Sequence, residues 1–244
     1  MQYFRCSCVT IVESTFFVDE NVLHGNVMNT NEAPISAFSR LRTTTDGEGI
    51  TTLVAFMLCP LRCQWCLNPQ TLSLDHPHAL YTPQMLYDAV RKDELYFLAT
   101  GGGITFGGGE PLLRTDFIRA FREVCGGEWK INVETSLNVP ANHVEGVLEI
   151  VDSYIIDVKD MNPDIYRRYT GHTNEQVVAN LRLLAERGLA KKCRIRLPLI
   201  PDYNTPDDRA ISRRQLEEMG FNDIEEFEYK THTPWKEEKK SARC

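Results

Sequence analysis

The sequence predicts an α/β protein, an open partial (β/α)6 barrel with parallel strands. Three observations predict it. Six short apolar or β-branched runs alternate with five stretches of helical period, the order that yields a parallel sheet under helical cover. Six units are too few to close an eight-stranded barrel. Each run also ends in polar or ligating residues, and in such sheets the carboxyl ends of the strands share one rim, where ligands sit.

The elements follow in order. Residues 1–40 show no clear period and are set apart as an N-terminal extension; residues 41–244 form the barrel domain. The Asn-rich stretch 26–31 reads as a turn, and Cys6 and Cys8 as two ordinary thiols rather than a second metal site. Residues 43–49 are a turn by composition. The run 50–58 is apolar and β-branched, the length of a buried strand. Thr82-Pro83 opens a helix to about residue 97. A strand at 103–106 precedes a helix over 115–125, whose Phe117, Ile118, Phe121, Val124 and Cys125 share one face, closed by Gly126-Gly127. Strands at 130–134 and 154–158 flank a weaker helix at 142–150. Asn174 caps a helix ended by Gly188. A strand at 194–200, a helix at 206–219 and a strand at 224–227 complete the chain.

Composition narrows the function. The 244 residues allow one large domain, and 25% charged with 42% hydrophobic residues is ordinary for a soluble globular protein. A net charge of −7 argues against a nucleic-acid binder. No apolar run reaches the ~20 residues that span a bilayer, and the start does not read as a signal peptide. The expected place is the cytoplasm, with no membrane partner. In that reducing compartment the eight cysteines do not read as a disulfide framework. They read as three ligands, Cys59, Cys63 and Cys66, beside Cys6, Cys8, Cys125, Cys193 and Cys244.

Cys59-Pro60-Leu61-Arg62-Cys63-Gln64-Trp65-Cys66 is the centre of the chain. Three thiolates leave a tetrahedral zinc site one ligand short. A [4Fe–4S] cluster normally uses four cysteines; held by three, it keeps one iron open for chemistry. A zinc knuckle completed from afar stays open as the alternative, a non-catalytic metal- or cluster-binding module. The other strand ends bring Gly107-Gly108-Gly109-Glu110-Pro111, Glu134-Thr135-Ser136, Asp157-Val158-Lys159, Arg194 with Arg196, and His232. Residues 101–109 hold six glycines in an order that fits neither a dinucleotide fingerprint nor a P-loop. They suggest backbone in close approach to a ligand. Glu110 in that loop has few evident structural duties and suits a ligand ammonium.

The cysteine triplet, with aromatic Trp65 before its third member, resembles the motif of the radical S-adenosylmethionine (SAM) enzymes. Asn68-Pro69, the stretch Gly-Gly-Gly-Ile-Thr-Phe-Gly-Gly-Gly-Glu-Pro-Leu-Leu, Asp-Val-Lys and Arg-Leu-Pro-Leu-Ile-Pro follow in order. Together they resemble the glycyl-radical-enzyme activases of the pyruvate formate-lyase activating type, from about Thr45 to His232. The resemblance implies the radical SAM type of partial barrel and a set of roles. Cys59, Cys63 and Cys66 would hold three irons of a [4Fe–4S] cluster, and SAM would chelate the fourth. Gly108, Gly109 and Glu110 would face the methionine amino group. Glu134, Thr135 and Asp157 fall where the family holds a monovalent cation near SAM. Asp157 and Lys159 match its Asp-x-Lys motif, and Arg196 and His232 match positions near the cofactor. No further catalytic residue is implied beyond these cluster and SAM ligands.

The implied reaction is reductive cleavage of SAM to a 5′-deoxyadenosyl radical, without oxygen. That radical takes a hydrogen from a glycine of a glycyl radical enzyme, with a flavodoxin- or ferredoxin-type protein as electron donor. Radical chemistry on a small molecule or a peptide is the alternative. The chain departs from the family at Glu48, Thr51, Leu67 and Asp202. The first three are expected near the mouth, where they bear on the substrate. Residues 67–124 contain no cysteine, so the cysteine-rich insert of many activases is absent.

Overall fold

The structure is a computed structural model, and it describes residues 31–229 apart from residue 44. One eight-stranded sheet runs through it. Its strands are β1 (Ala33–Arg42), β2 (Thr51–Phe56), β3 (Ala79–Tyr81), β4 (Gly103–Gly108), β5 (Lys130–Thr135), β6 (Ser153–Asp157), β7 (Cys193–Leu199) and β8 (Ile224–Glu228). Their spatial order is β3-β1-β2-β4-β5-β6-β7-β8. From β2 through β4 to β8 every neighbouring pair is parallel. These are the six expected strands. Among the described residues the outer strands β3 and β8 do not pair, so the barrel is open.

Two strands and one helix were not among the expected elements. β1 pairs antiparallel with β2 and β3, so residues 33–40 belong to the sheet. Its register shifts between Ile35 and Ala37 and between Ser39 and Arg42, and Leu41 has a positive φ of 55°. Such bulges erase the period-two alternation that marks a strand. β3 is three residues long. Helix α5 is described below. Residues 1–30, with Cys6 and Cys8, and 230–244, with His232 and Cys244, lie outside the described residues.

The helices are α1 (Pro83–Val90), α2 (Glu94–Thr100), α3 (Thr115–Cys125), α4 (Ala141–Glu145), α5 (Pro163–Thr170), α6 (Glu175–Glu186) and α7 (Pro206–Glu218). Thr82 caps α1 by accepting from the Met85 N–H at 3.2 Å. The single helix expected over 83–97 is two, because Asp93 interrupts it. Asp93 is fully buried and accepts from Arg40 Nε at 2.9 Å and Thr52 Oγ1 at 3.0 Å. The helix predicted at 142–150 is helical only through Glu145; beyond it the chain continues in tight turns such as Val147 N–H to Val144 O, 3.1 Å. Thr205 and Asp208 form a capping box on α7.

The main core lies between the sheet and its helices. Phe56 stacks on Phe106 with centroids 5.2 Å apart, and Phe117 and Phe121 of α3 meet these rings edge-on. Side chains alternate along a strand, so this apolar set fills the outer face and leaves the inner face to Thr105, Asn132, Glu134, Asp157 and Arg196. The turn before β2 closes the amino-terminal end of that interior: the Asp46 carbonyl accepts from Thr105 Oγ1 and from Asn132 Nδ2.

Candidate active site

The cysteine loop begins where β2 ends. Leu58 has a positive φ of 75°, strained for a leucine, and this turns the chain across the strand ends. The loop is then fastened by three backbone hydrogen bonds. Leu58 N–H donates to Thr71 O at 2.6 Å, Arg62 N–H to Thr170 O at 2.9 Å and Gln64 N–H to Tyr169 O at 3.1 Å. The Arg62 guanidinium closes back on the Cys59 carbonyl at 2.7 Å. Trp65 and Leu67 pack against a small second core of Tyr169, Ile200 and Tyr229. The aromatic residue before the third cysteine thus serves as an anchor for the loop.

The glycines at the end of β4 lie against this loop. Gly109 N–H donates to Phe56 O at 2.9 Å and Glu110 N–H to Leu58 O at 2.8 Å. A Cβ on Gly109 would stand 2.1 Å from Leu58 O, and Gly108 has a φ of 86°. The close approach expected of a ligand is here an approach to the protein's own backbone.

Glu110 is 1% exposed, and it has several structural duties. Its Oε1 accepts from Thr135 Oγ1 at 2.6 Å and Leu112 N–H at 3.2 Å; its Oε2 accepts from Ser136 Oγ at 2.7 Å and Ser136 N–H at 2.9 Å. The carboxylate ties the glycine loop to the end of β5. Burial raises its pKa against these hydrogen bonds.

The next strand ends carry a chain of charges. Arg196 of β7 bridges Glu134 of β5 and Asp157 of β6, with Nε 2.6 Å from Asp157 Oδ1. Lys159 Nζ lies 3.2 Å from Asp157 Oδ2. Burial opposes ionisation of Asp157, but Arg196 and Lys159 outweigh it and hold the carboxyl low. Burial likewise opposes the charge on Lys159, and Asp157 and the Cys63 thiol outweigh it. The two carboxylates assigned by resemblance to a monovalent cation already share a guanidinium. As they stand they do not fit that ion.

These groups meet in one cavity enclosing about 990 Å³, its open mouth included. Cys59, Cys63 and Cys66 line one wall, with Leu67 and Asn68 beside them. Gly108, Gly109, Glu110, Glu134 and Thr135 form the next wall, and Asp157, Lys159 and Arg196 the floor. Ser136, Glu225, Phe227 and Tyr229 complete it. Arg194 is elsewhere, at the amino-terminal end, 3.1 Å from Asp223. Glu48 and Thr51 also lie at that end, before and at the start of β2. Of the three departures expected near the mouth, only Leu67 lines the cavity.

The thiols are half-buried. Burial pushes the Cys63 thiol up to about 11, with Lys159 opposing, and it raises Cys59 and Cys66 as well. Neutral sites of this kind release their protons to a metal. Among the described residues no three His, Cys, Asp or Glu side chains surround a single ion. The three thiols line one cavity; three thiolates suit a cluster that keeps one iron open and leave a tetrahedral zinc site one ligand short.

A fold of parallel strands around three clustered thiols defines a class. The profile described as "Radical SAM superfamily" matches residues 54–212, and the chain belongs to that superfamily, which implies a [4Fe–4S] cluster and SAM. A pyruvate formate-lyase-activating enzyme of Staphylococcus aureus (strain USA300) is 30% identical over 196 residues, covering 76% of this chain and 75% of that one. The (2S)-3-sulfopropanediol dehydratase activating enzyme of Klebsiella oxytoca is 26% identical over 238 residues, with 71% and 74% covered. That alignment is longer than the part of this chain it takes in, so the relative carries internal sequence without a counterpart here. Among solved structures, SuiB of Streptococcus suis shares the fold with a TM-score of 0.55 at 14% identity, over 73% of this chain and 39% of that one.

Sequence reasoning passed over several residues of the cavity, Ser136, Asn68, Phe227 and Tyr229 among them, and one helix behind it. Ser136 stands in the strand end Glu134-Thr135-Ser136, but its tie to Glu110 crosses 26 positions. Asn68 was noted only as part of a motif. Helix α5, whose last carbonyls hold the cysteine loop, had readable signals in Asn162-Pro163 at its start and Gly171 after its end. Asn162 Oδ1 accepts from the Asp164 N–H at 2.9 Å, and Gly171 is left-handed at φ 78°.

Proposed function

We propose that this radical SAM enzyme installs a glycyl radical on a partner enzyme. The observation that carries the reading is the convergence of the three thiols with the β4, β5, β6 and β7 strand ends on one open cavity. The activase half is supported by relatives named as activating enzymes, which match along about three quarters of this chain.

Cys59, Cys63 and Cys66 are the residues that would hold the cluster, leaving one iron for SAM. When bound, the reduced cluster and SAM supply a 5′-deoxyadenosyl radical that abstracts hydrogen from carbon. The chain's own residues bind and enclose. Lys159, a buried cation, would face a ligand carboxylate. Arg196 already pairs with both Glu134 and Asp157, so this reading includes no monovalent cation. Phe227 and Tyr229 screen one side from water. The unclosed sheet leaves an entrance for a glycine-bearing loop of another protein, and a flavodoxin- or ferredoxin-type protein would deliver the electron. Among the described residues no helix is long and apolar enough to cross a membrane.

The test mixes the reduced, cluster-loaded protein with SAM and a candidate glycyl radical enzyme without oxygen. The expected result is a doublet electron-paramagnetic-resonance signal that changes when the glycine is deuterated at Cα. Cleavage of SAM without a protein radical, with deuterium passing from a small molecule or peptide into 5′-deoxyadenosine, would replace the activase reading. Zinc without iron and sulfide would overturn the enzyme reading altogether.

A further inference from the structure

Arg62 stands inside the cysteine loop and carries a charge that no described carboxylate answers. The two cations lining the cavity are both paired, Lys159 with Asp157 and Arg196 with Glu134 and Asp157. Among the described residues Arg62 forms no ion pair. It is an exposed residue, yet its side chain folds back on its own loop. Nη1 donates to Cys59 O at 2.7 Å and to Leu61 O at 2.8 Å. Its backbone N–H is held in turn by Thr170 O at 2.9 Å. A free arginine on a surface keeps its rotamers; this one is clamped at both ends.

The clamp puts the charge beside the thiols. Within one residue Sγ lies no more than about 5 Å from the carbonyl oxygen, so the guanidinium nitrogen stands within about 8 Å of the Cys59 sulfur. Cys63 is the next residue in the chain. The potential of an iron–sulfur cluster follows net charge, hydrogen bonding and exposure. Three thiolates bring more negative charge than an oxidised core of this type brings positive. Reduction adds one more electron to that negative set, and a cation alongside favours the reduced form by Coulomb attraction. An unpaired cation does so more than one already answered by a carboxylate.

We infer that Arg62 eases delivery of the electron: clamped on the Cys59 and Leu61 carbonyls, its uncompensated charge raises the reduction potential of the bound cluster. The electron comes from the flavodoxin- or ferredoxin-type donor, which is oxidised by one electron as the cluster is reduced by one. The inference rests on the reading of Cys59, Cys63 and Cys66 as cluster ligands. It gives Arg62 no part in breaking a bond of SAM.

The test uses the full chain, anaerobically reconstituted to equal iron content, without SAM. The potential is read by titration with low-potential mediators, following the electron-paramagnetic-resonance signal of the reduced cluster. Arg62→Gln is expected to make reduction at least threefold harder, a fall of about 28 mV at ~59 mV per decade for one electron. Arg62→Glu, which reverses the charge, about doubles that fall. Arg62→Lys, which keeps the charge, recovers at least half of it. A loop that was merely loosened would lose iron without following this order of charge. If an Arg62 variant does not hold its cluster, the charge is offset from Gly171, where a Cβ would stand 3.9 Å from that of Arg62. There Gly171→Asp is expected to be at least twofold harder to reduce than Gly171→Asn, with both Arg62 hydrogen bonds left in place. Potentials that ignore the charge at position 62, a fall in Arg62→Lys as large as that in Arg62→Gln, or equal potentials in the two Gly171 variants overturn the inference and leave the cluster reading standing. Absence of iron and sulfide from reconstituted wild type overturns both.

Discussion

Glu110 shows how far a residue's role depends on partners the local sequence does not reveal. Its four hydrogen bonds join two strand ends, so Glu110→Ala strands two backbone N–H groups and two hydroxyls. Each lost partner in a buried site costs roughly 1–3 kcal/mol, partly recovered by the hydroxyls turning elsewhere. We predict a loss of about 3 kcal/mol and, for a chain of this size, a fall in melting temperature on the order of 6–12 °C, read by calorimetry on the metal-free protein. Arg196 gives the complementary prediction. Arg196→Met leaves Glu134 and Asp157 without their shared partner, which costs on the order of 3–5 kcal/mol. The emptied pair then resembles a cation site. Potassium ions are expected to raise the melting temperature of Arg196→Met and not that of wild type, with choline as the ionic-strength control.

Helix ends and helix breaks control the cysteine loop and the barrel edge. Gly171 ends α5 at φ 78° and Gly188 follows α6 at φ 70°, and a Cβ at either meets no closer atom than 3.9 Å. Alanine at either costs roughly 1–2 kcal/mol for the left-handed backbone. Only α5 presents its last carbonyls to the cysteine loop. Gly171→Ala is therefore expected to speed loss of iron to a chelator severalfold, with Gly188→Ala releasing iron at the wild-type rate despite similar destabilisation. At the break between α1 and α2, burial works against the charge on Asp93, but its bonds to Arg40 and Thr52 prevail and keep its pKa low. A group depressed in the folded state adds stability above its unfolded value, about pH 4, and loses it as pH falls through the folded value. Asp93→Asn should be less stable at pH 7 and show a shallower loss of stability below about pH 4, followed by urea unfolding.

At the scale of the molecule, the parallel strands before β8 were legible because each is a short run of apolar residues, continuous or alternating, closed by glycine, cysteine or charge. The rim was legible for the same reason: strand ends such as Asp157-Val158-Lys159 sit where topology must gather them. What escaped depends on distance or irregularity. β1 is bulged, α5 is polar outside its buried Ile165, Tyr166 and Tyr169, and the ties of Glu110 cross 25 and 26 positions.

Among the described residues the sheet does not close, β3 and β8 each pair on one side only, and solubility depends on how such edges are guarded. β3 guards one by brevity, with three residues. β8 guards the other by charge: Glu225, Glu226 and Glu228 are three of its five residues, and all are exposed. Bare strands of this length are templates for polymerisation. Replacing the three glutamates with threonine, which favours the strand, should leave the melting temperature within a few degrees while sedimentation reveals large, concentration-dependent aggregates at neutral pH. An open sheet edge also faces a copy of the same sheet, and the acidic residues of β8 would turn that copy away.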